Sequence, residues 1–149
     1  MRWISHRGNL LGPNDSEENH PDYINHAISK GYDVEIDVWY IKDEFYLGHD
    51  SPQYKITQNF LSQKNLWLHA KNLPALERLV RREYNCFWHQ DDKFTLTNHG
   101  YIWTYPTKCY PPNVIAVLPE LHESNMFSDC VGVCSDYIQK YKEKYVANK

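Results

Sequence analysis

Gly31-Tyr32-Asp33-Val34-Glu35-Ile36-Asp37-Val38-Trp39-Tyr40-Ile41 is the stretch on which the fold turns. Strand side chains alternate with period two, so Val34, Ile36 and Val38 share one face while Glu35 and Asp37 share the other. Upstream, His20 to Lys30 reads as a helix, with Asn19 as N-cap, Pro21 in the first turn, Tyr23, Ile24, Ala27 and Ile28 as an apolar stripe, and Gly31 as the stop. Before it, Arg2 to Ser5 is an apolar strand. Downstream, the strand candidates are Phe45 to Gly48, Asn65 to Ala70, Asn85 to Trp88, Phe94 to Thr97, Tyr101 to Tyr105, Val114 to Leu118 and Val131 to Ser135. A second helix, Pro74 to Tyr84, turns Leu76, Leu79 and Val80 inward.

Strand, helix, strand, short helix, strand, helix, strand is the order of right-handed βαβ units around a parallel sheet. Eight such strands close a barrel, but typical barrels use about 250 residues and this chain has 149. Beyond Tyr84 the connections are too short for full helices until the charged tail, Tyr137 to Lys149. The expected fold is α/β: a compact TIM-type (β/α)8 barrel with several outer helices shortened or missing, in a single domain over residues 1–149.

Composition narrows the function classes. The formal charge of −3 argues against a generic nucleic-acid binder, and 42% hydrophobic with 15% aromatic residues argues for a packed core rather than disorder. No apolar run approaches the roughly 20 residues needed for a transmembrane segment, and Met1 to Gly8 lacks the apolar stretch of a signal peptide, so a cytoplasmic location is expected. Cys86, Cys109, Cys130 and Cys134 show no CxxC spacing, and Cys130 and Cys134 read as buried apolar residues.

Reactive residues in parallel sheets sit at the carboxyl ends of strands, and here those ends are polar: Ser5-His6-Arg7-Gly8, Glu35-Ile36-Asp37, Gly48-His49-Asp50 and His69-Ala70-Lys71. Two carboxylates on an inward face repel unless protonated or offset by a cation, and Mg²⁺ or Ca²⁺ is the natural oxygen-seeking ion. Each piece also has a plainer reading. Glu35 and Asp37 equally fit the exposed face of an edge strand, His49-Asp50 a turn before Pro52, Lys71 a solvated lysine, and His89 and His99 loop or core residues.

Taken in order, His6-Arg7-Gly8, Glu18-Asn19 opening a helix, Lys30 through Val38, and Gly48-His49-Asp50 resemble the glycerophosphodiester phosphodiesterase family. That family belongs with the phosphatidylinositol-specific phospholipases C and sphingomyelinase D in one superfamily of TIM-barrel phosphodiesterases. The likeness is close over the first third of the chain. Further on, Leu68-His69-Ala70-Lys71 looks like the family's strand ending Glu-x-Lys, and Gly132 to Asp136 like its last strand. The resemblance implies that His6 and His49 are the acid/base pair, Glu35 and Asp37 metal ligands, and Arg7 and Lys71 phosphate contacts, with Glu18 supporting the metal or Arg7. His69 stands where the family has a metal-binding glutamate, and is expected as a third ligand. The ion is then Mg²⁺ or Ca²⁺, or Mn²⁺ or Zn²⁺ if His69 ligates it. His89, Asn98, Trp103, Glu120 and Asp136 are further pocket candidates, with Trp103 or Tyr105 as a platform for the leaving group.

The expected activity is therefore metal-dependent hydrolysis of a small-molecule phosphodiester, most simply a glycerophosphodiester, to glycerol phosphate or a cyclic phosphate plus an alcohol. Two alternatives stay open: a sphingomyelinase D or phosphoinositide phospholipase C-like enzyme, and a catalytically silent binder of phosphorylated head groups or sugars. Because the outer helical layer thins, a homo-oligomer is expected to cover bare sheet.

Overall fold

The computed structural model describes residues 1–107, 110–122, 127 and 129–147. In chain order its elements are β1 (Arg2–His6), α1 (Pro21–Ser29), β2 (Asp33–Ile41), β3 (Glu44–Leu47), β4 (Tyr54–Ile56), α2 (Gln58–Leu61), β5 (Leu66–Ala70), α3 (Leu73–Arg81), β6 (Cys86–Phe87), β7 (Phe94–Leu96), β8 (Ile102–Thr104), β9 (Val114–Val117), a 3-10 turn (Pro119–Leu121), β10 (Gly132–Ser135) and α4 (Ile138–Ala147). Among the described residues, no helix is long and apolar enough to cross a membrane. Cys130 and Cys134 are buried, while Cys109 lies outside the described residues.

Seven strands run parallel in the order β6-β5-β2-β1-β10-β9-β8. The hairpin strands β3 and β4 continue antiparallel from the C-terminal half of β2, and β7 adds antiparallel to β8. The result is a curled mixed sheet, a half-barrel, and not the expected (β/α)8 barrel. Only four α-helices accompany ten strands among the described residues.

The reason lies in the connections. A parallel neighbour needs a crossover of a dozen or more residues, usually helical, whereas an antiparallel neighbour needs only a tight turn. The chain between β6 and β8 spends its length on β7, which pairs antiparallel with β8. β8 and β9 do pair in parallel, but their short connection carries Pro106, Pro111 and Pro112, which do not sustain a covering helix. No ladder joins β6 to β7 or β8 among the described residues. The seam is spanned instead by Asn98, whose N–H donates to the Cys86 carbonyl at 3.0 Å while its Oδ1 accepts from the Cys86 N–H at 2.8 Å.

The two faces of β2 divide as their alternation requires. Val34, Ile36 and Val38 pack outward with Ile24 and Ala27 of α1 and Ala75 and Leu79 of α3. On the concave side, Ile4, Trp67, Phe87, Trp103, Ile115, Val117 and Cys134 fill the floor of the curl, with the Phe87 and Trp103 rings 4.8 Å apart. The outer face of the β7–β8 hairpin carries no helix, and Phe94, Leu96 and Ile102 are exposed there.

Local details also differ from expectation. His20, not Asn19, caps α1 by accepting from the Asp22 N–H, and Asn19 sits in the left-handed region at φ 63°. Asn72 caps α3 through the Ala75 N–H, and Val80 is exposed rather than inward. The charged tail is helical over α4, which seats Ile138 against the sheet.

Candidate functional site

Strand register brings the polar strand ends together. His6 of β1 lies opposite Glu35 of β2, and Asp37 of β2 lies opposite His69 of β5. Because β2 is flanked on both sides, Glu35 and Asp37 are buried, which removes the edge-strand reading. The strand ends open on a cleft of about 490 Å³, lined on one wall by His6, Arg7, Glu35, His49, His69 and Lys71. Trp88, His89, Trp103 and Tyr105 form the facing aromatic wall, where the His89 and Tyr105 rings stack 3.8 Å apart.

Glu35, Asp37 and His69 each offer one ligand atom, and these atoms lie within 4.8 Å of one another, so the group could hold a metal ion. The burial of Glu35 pushes its carboxyl up, as does the adjacent Asp37 charge, against His6, His69 and Arg7. Asp37 is buried too, yet His69, Arg7 and Lys71 outweigh that burial and hold its carboxyl well below the usual range. Glu35 Oε2 and Asp37 Oδ1 have no hydrogen-bond partner among the described residues. Buried carboxylate oxygens without donors are costly. A divalent cation meets that demand, so the donor set fits one.

Both histidines expected as the acid/base pair stand beside carboxylates, His6 in a partly buried contact and His49 in an exposed one with its neighbour in the chain. His6 Nδ1 stands 2.7 Å from Asp136 Oδ1, and His49 Nδ1 stands 2.7 Å from Asp50 Oδ1. A carboxylate only accepts, so each Nδ1 carries a proton; His6 Nε2 faces Glu35 Oε2 at 3.8 Å, while His49 Nε2 is left available. Burial works against a charged His6, but the Asp136 hydrogen bond and the Glu35 charge prevail and raise its pKa. Asp136 is partly buried, and its bond to His6 holds its carboxyl down.

The chain around these groups is constrained by backbone geometry. Gly8 has φ 98°, and a Cβ there would stand 2.5 Å from the Tyr23 ring. Gly48 has φ 146°, and a Cβ would meet the Ser51 carbonyl at 2.1 Å, so only glycine permits the turn that presents His49. The Gly48 N–H donates to the Asp37 carbonyl at 3.2 Å, tying that turn to β2.

Arg7 Nη1 donates to Glu18 Oε2 at 3.0 Å, and its Nε lies 3.1 Å from Asp37 Oδ2. Glu18 thus holds Arg7 from behind the cleft. Lys71 Nζ approaches Asp37 Oδ1 at 3.5 Å. Two asparagines complete the network, Asn9, which no motif singled out, and Asn19, which the sequence offered as a helix cap within the Glu18-Asn19 motif. Asn9 donates through Nδ2 to Glu18 Oε1 and Asp136 Oδ1. Asn19 grips Asp37, donating from Nδ2 to its Oδ2 and accepting from its N–H, both at 2.9 Å. Of the remaining candidates, Asn98 spans the β6 seam, and Glu120 stands outside the cleft, accepting from the Ser135 hydroxyl and the Asp136 N–H.

Set against protein-family models, curated proteins and solved structures, the chain matches none.

Proposed function

We propose that the chain is a divalent-metal-dependent phosphodiesterase that cleaves a small diester, a glycerophosphodiester being the substrate implied by the sequence resemblance. The observation that carries this is the presence of two histidines, His6 and His49, each beside a carboxylate, in one cleft with Glu35 and His69 of the candidate ion group. A simple binder of anionic head groups has no use for two such histidines beside an ion site.

Glu35, Asp37 and His69 would hold the divalent ion, which when bound would supply positive charge to the phosphate. Lys71 and Arg7 line the same cleft and are placed to contact the phosphate oxygens. One histidine, entering neutral, takes the proton of the attacking hydroxyl at Nε2 as its oxygen bonds to phosphorus; the other, entering as the imidazolium, gives its Nε2 proton to the alkoxide as the second P–O bond breaks. When the attacking hydroxyl belongs to the substrate's own glycerol, the products are a cyclic phosphate and a free alcohol. The aromatic wall of Trp88, Trp103 and Tyr105 receives the alcohol.

Incubation of the protein with a panel of glycerophosphodiesters, monitored by ³¹P NMR, tests this directly. Glycerol phosphate or cyclic phosphate is expected with added divalent ion and not with a chelator, and Glu35→Gln weakens metal binding. Absence of any diester cleavage across Mg²⁺, Ca²⁺, Mn²⁺ and Zn²⁺ refutes the proposal.

A further inference from the structure

We infer that the ion at Glu35, Asp37 and His69 is a nitrogen-accepting transition metal of the Mn²⁺ to Zn²⁺ series rather than Mg²⁺ or Ca²⁺, and that His69 ligates it through Nδ1. This rests on the metal dependence proposed above and goes further by selecting the metal class.

The tautomer of His69 is fixed by its neighbour. Its Nε2 lies 3.2 Å from the His89 carbonyl oxygen. A carbonyl oxygen can only accept, so Nε2 carries the hydrogen and the lone pair of the neutral ring is on Nδ1. A backbone carbonyl holding the non-ligating nitrogen is the usual support of a metal-binding histidine. Nδ1 stands 3.1 Å from Asp37 Oδ1 and 3.8 Å from Glu35 Oε1. At those distances Nδ1 faces both carboxylates, and the three candidate ligand atoms lie within 4.8 Å of one another. A bound cation would take the place of any proton on Nδ1, as ligation by a histidine requires. The ring is also held flat against Phe87, with centroids 5.0 Å apart and planes 7° from parallel.

Ligand chemistry then selects the metal. Mg²⁺ and Ca²⁺ take oxygen donors and gain mainly from ligand charge. Here a neutral imidazole fills one of three positions, and the Asp37 charge is already shared with Arg7 at 3.1 Å and Lys71 at 3.5 Å. A hard ion thus finds little net charge and a poor third donor. Imidazole suits zinc and its first-row neighbours, which also accept the two carboxylates.

The test is metal binding to the apoprotein, without substrate. One equivalent each of Zn²⁺, Mn²⁺, Mg²⁺ and Ca²⁺ is titrated by calorimetry, and the histidine rings are monitored by ¹⁵N NMR with Zn²⁺. Zn²⁺ and Mn²⁺ are expected to bind more tightly than Mg²⁺ and Ca²⁺ by about tenfold or more. The His69 Nδ1 resonance should shift while Nε2–H persists, and His69→Glu should narrow the preference. Equal affinity of wild type for Mg²⁺ and Zn²⁺, or a Zn²⁺-induced shift at histidines other than His69, overturns the inference whether or not the variant folds. Binding in the expected order without diester cleavage supports it and refutes only the proposed reaction, whereas cleavage driven by tightly bound Mg²⁺ does the reverse.

Discussion

Asn19→Gly is the substitution that most directly probes how the site is held. Glycine accepts the left-handed backbone of residue 19, at φ 63°, without strain, so the change isolates the side chain. Two buried bonds disappear: the Nδ2 donation to the ionised Asp37 Oδ2 and the Oδ1 acceptance from the Asp37 N–H, each 2.9 Å long. The first is charge-assisted, and the second leaves a buried N–H unpaired, at about 1–3 kcal/mol apiece. The loss of stability should be about 2–6 kcal/mol, equivalent to a fall in Tm of about 5–20 °C for a chain of this size. Urea unfolding of the metal-free protein measures it, and a metal titration of the same variant should show weaker binding because Asp37 is no longer gripped. Asn19→Ala should be worse still, by about 1–2 kcal/mol, from the left-handed backbone. A loss below about 0.5 kcal/mol for Asn19→Gly, within the range of ordinary surface changes, would show that Asn19 is not what holds Asp37.

His6→Ala and His49→Ala should each lower turnover by about 10² to 10⁴ with circular dichroism unchanged; near-wild-type rates in both variants would remove them from the reaction. In metal-free protein, Asp136→Asn should lower the His6 pKa, because Asp136 opposes the desolvation of a ring that also faces Glu35 and Arg7; NMR titration of the ring checks this. The raised pKa of His6 stabilises the fold below its ordinary value of 6.5 and is lost as pH rises through the folded value. The depressed pKa of Asp136 stabilises above 3.8 and is lost as pH falls through its folded value. The stability gap between wild type and Asp136→Asn should therefore be widest between those two pH values and shrink on either side. Gly48→Ala should disrupt the turn bearing His49 and abolish most activity, and retained activity would mean that this turn does not position the histidine.

Period and propensity, both local properties of the sequence, determined the elements and the character of their faces. The alternation from Val34 to Val38 made one face of β2 apolar and the other acidic, and the structure buries the first under α1 and α3 and turns the second to the cleft. Strand and helix positions were legible for the same reason, since each depends on neighbours within a few residues. Tertiary structure alone decided whether the acidic face lay inside, because only the flanking of β2 by β1 and β5 separates an inner strand from an edge. It also decided how far the sheet closed. The runs at Phe94 and Tyr101 look the same in sequence whether they pair parallel or antiparallel, and the short connection between them made a hairpin the more accessible arrangement. The supports of the site were hidden for a related reason. Asn9 and the His89 carbonyl are ordinary polar groups in sequence and Asn19 reads as a helix cap, while their grip on Asp136, Asp37 and His69 spans 127, 18 and 20 residues of chain. Hydrogen bonds at such separations are set by the packing of the whole sheet, not by any local pattern.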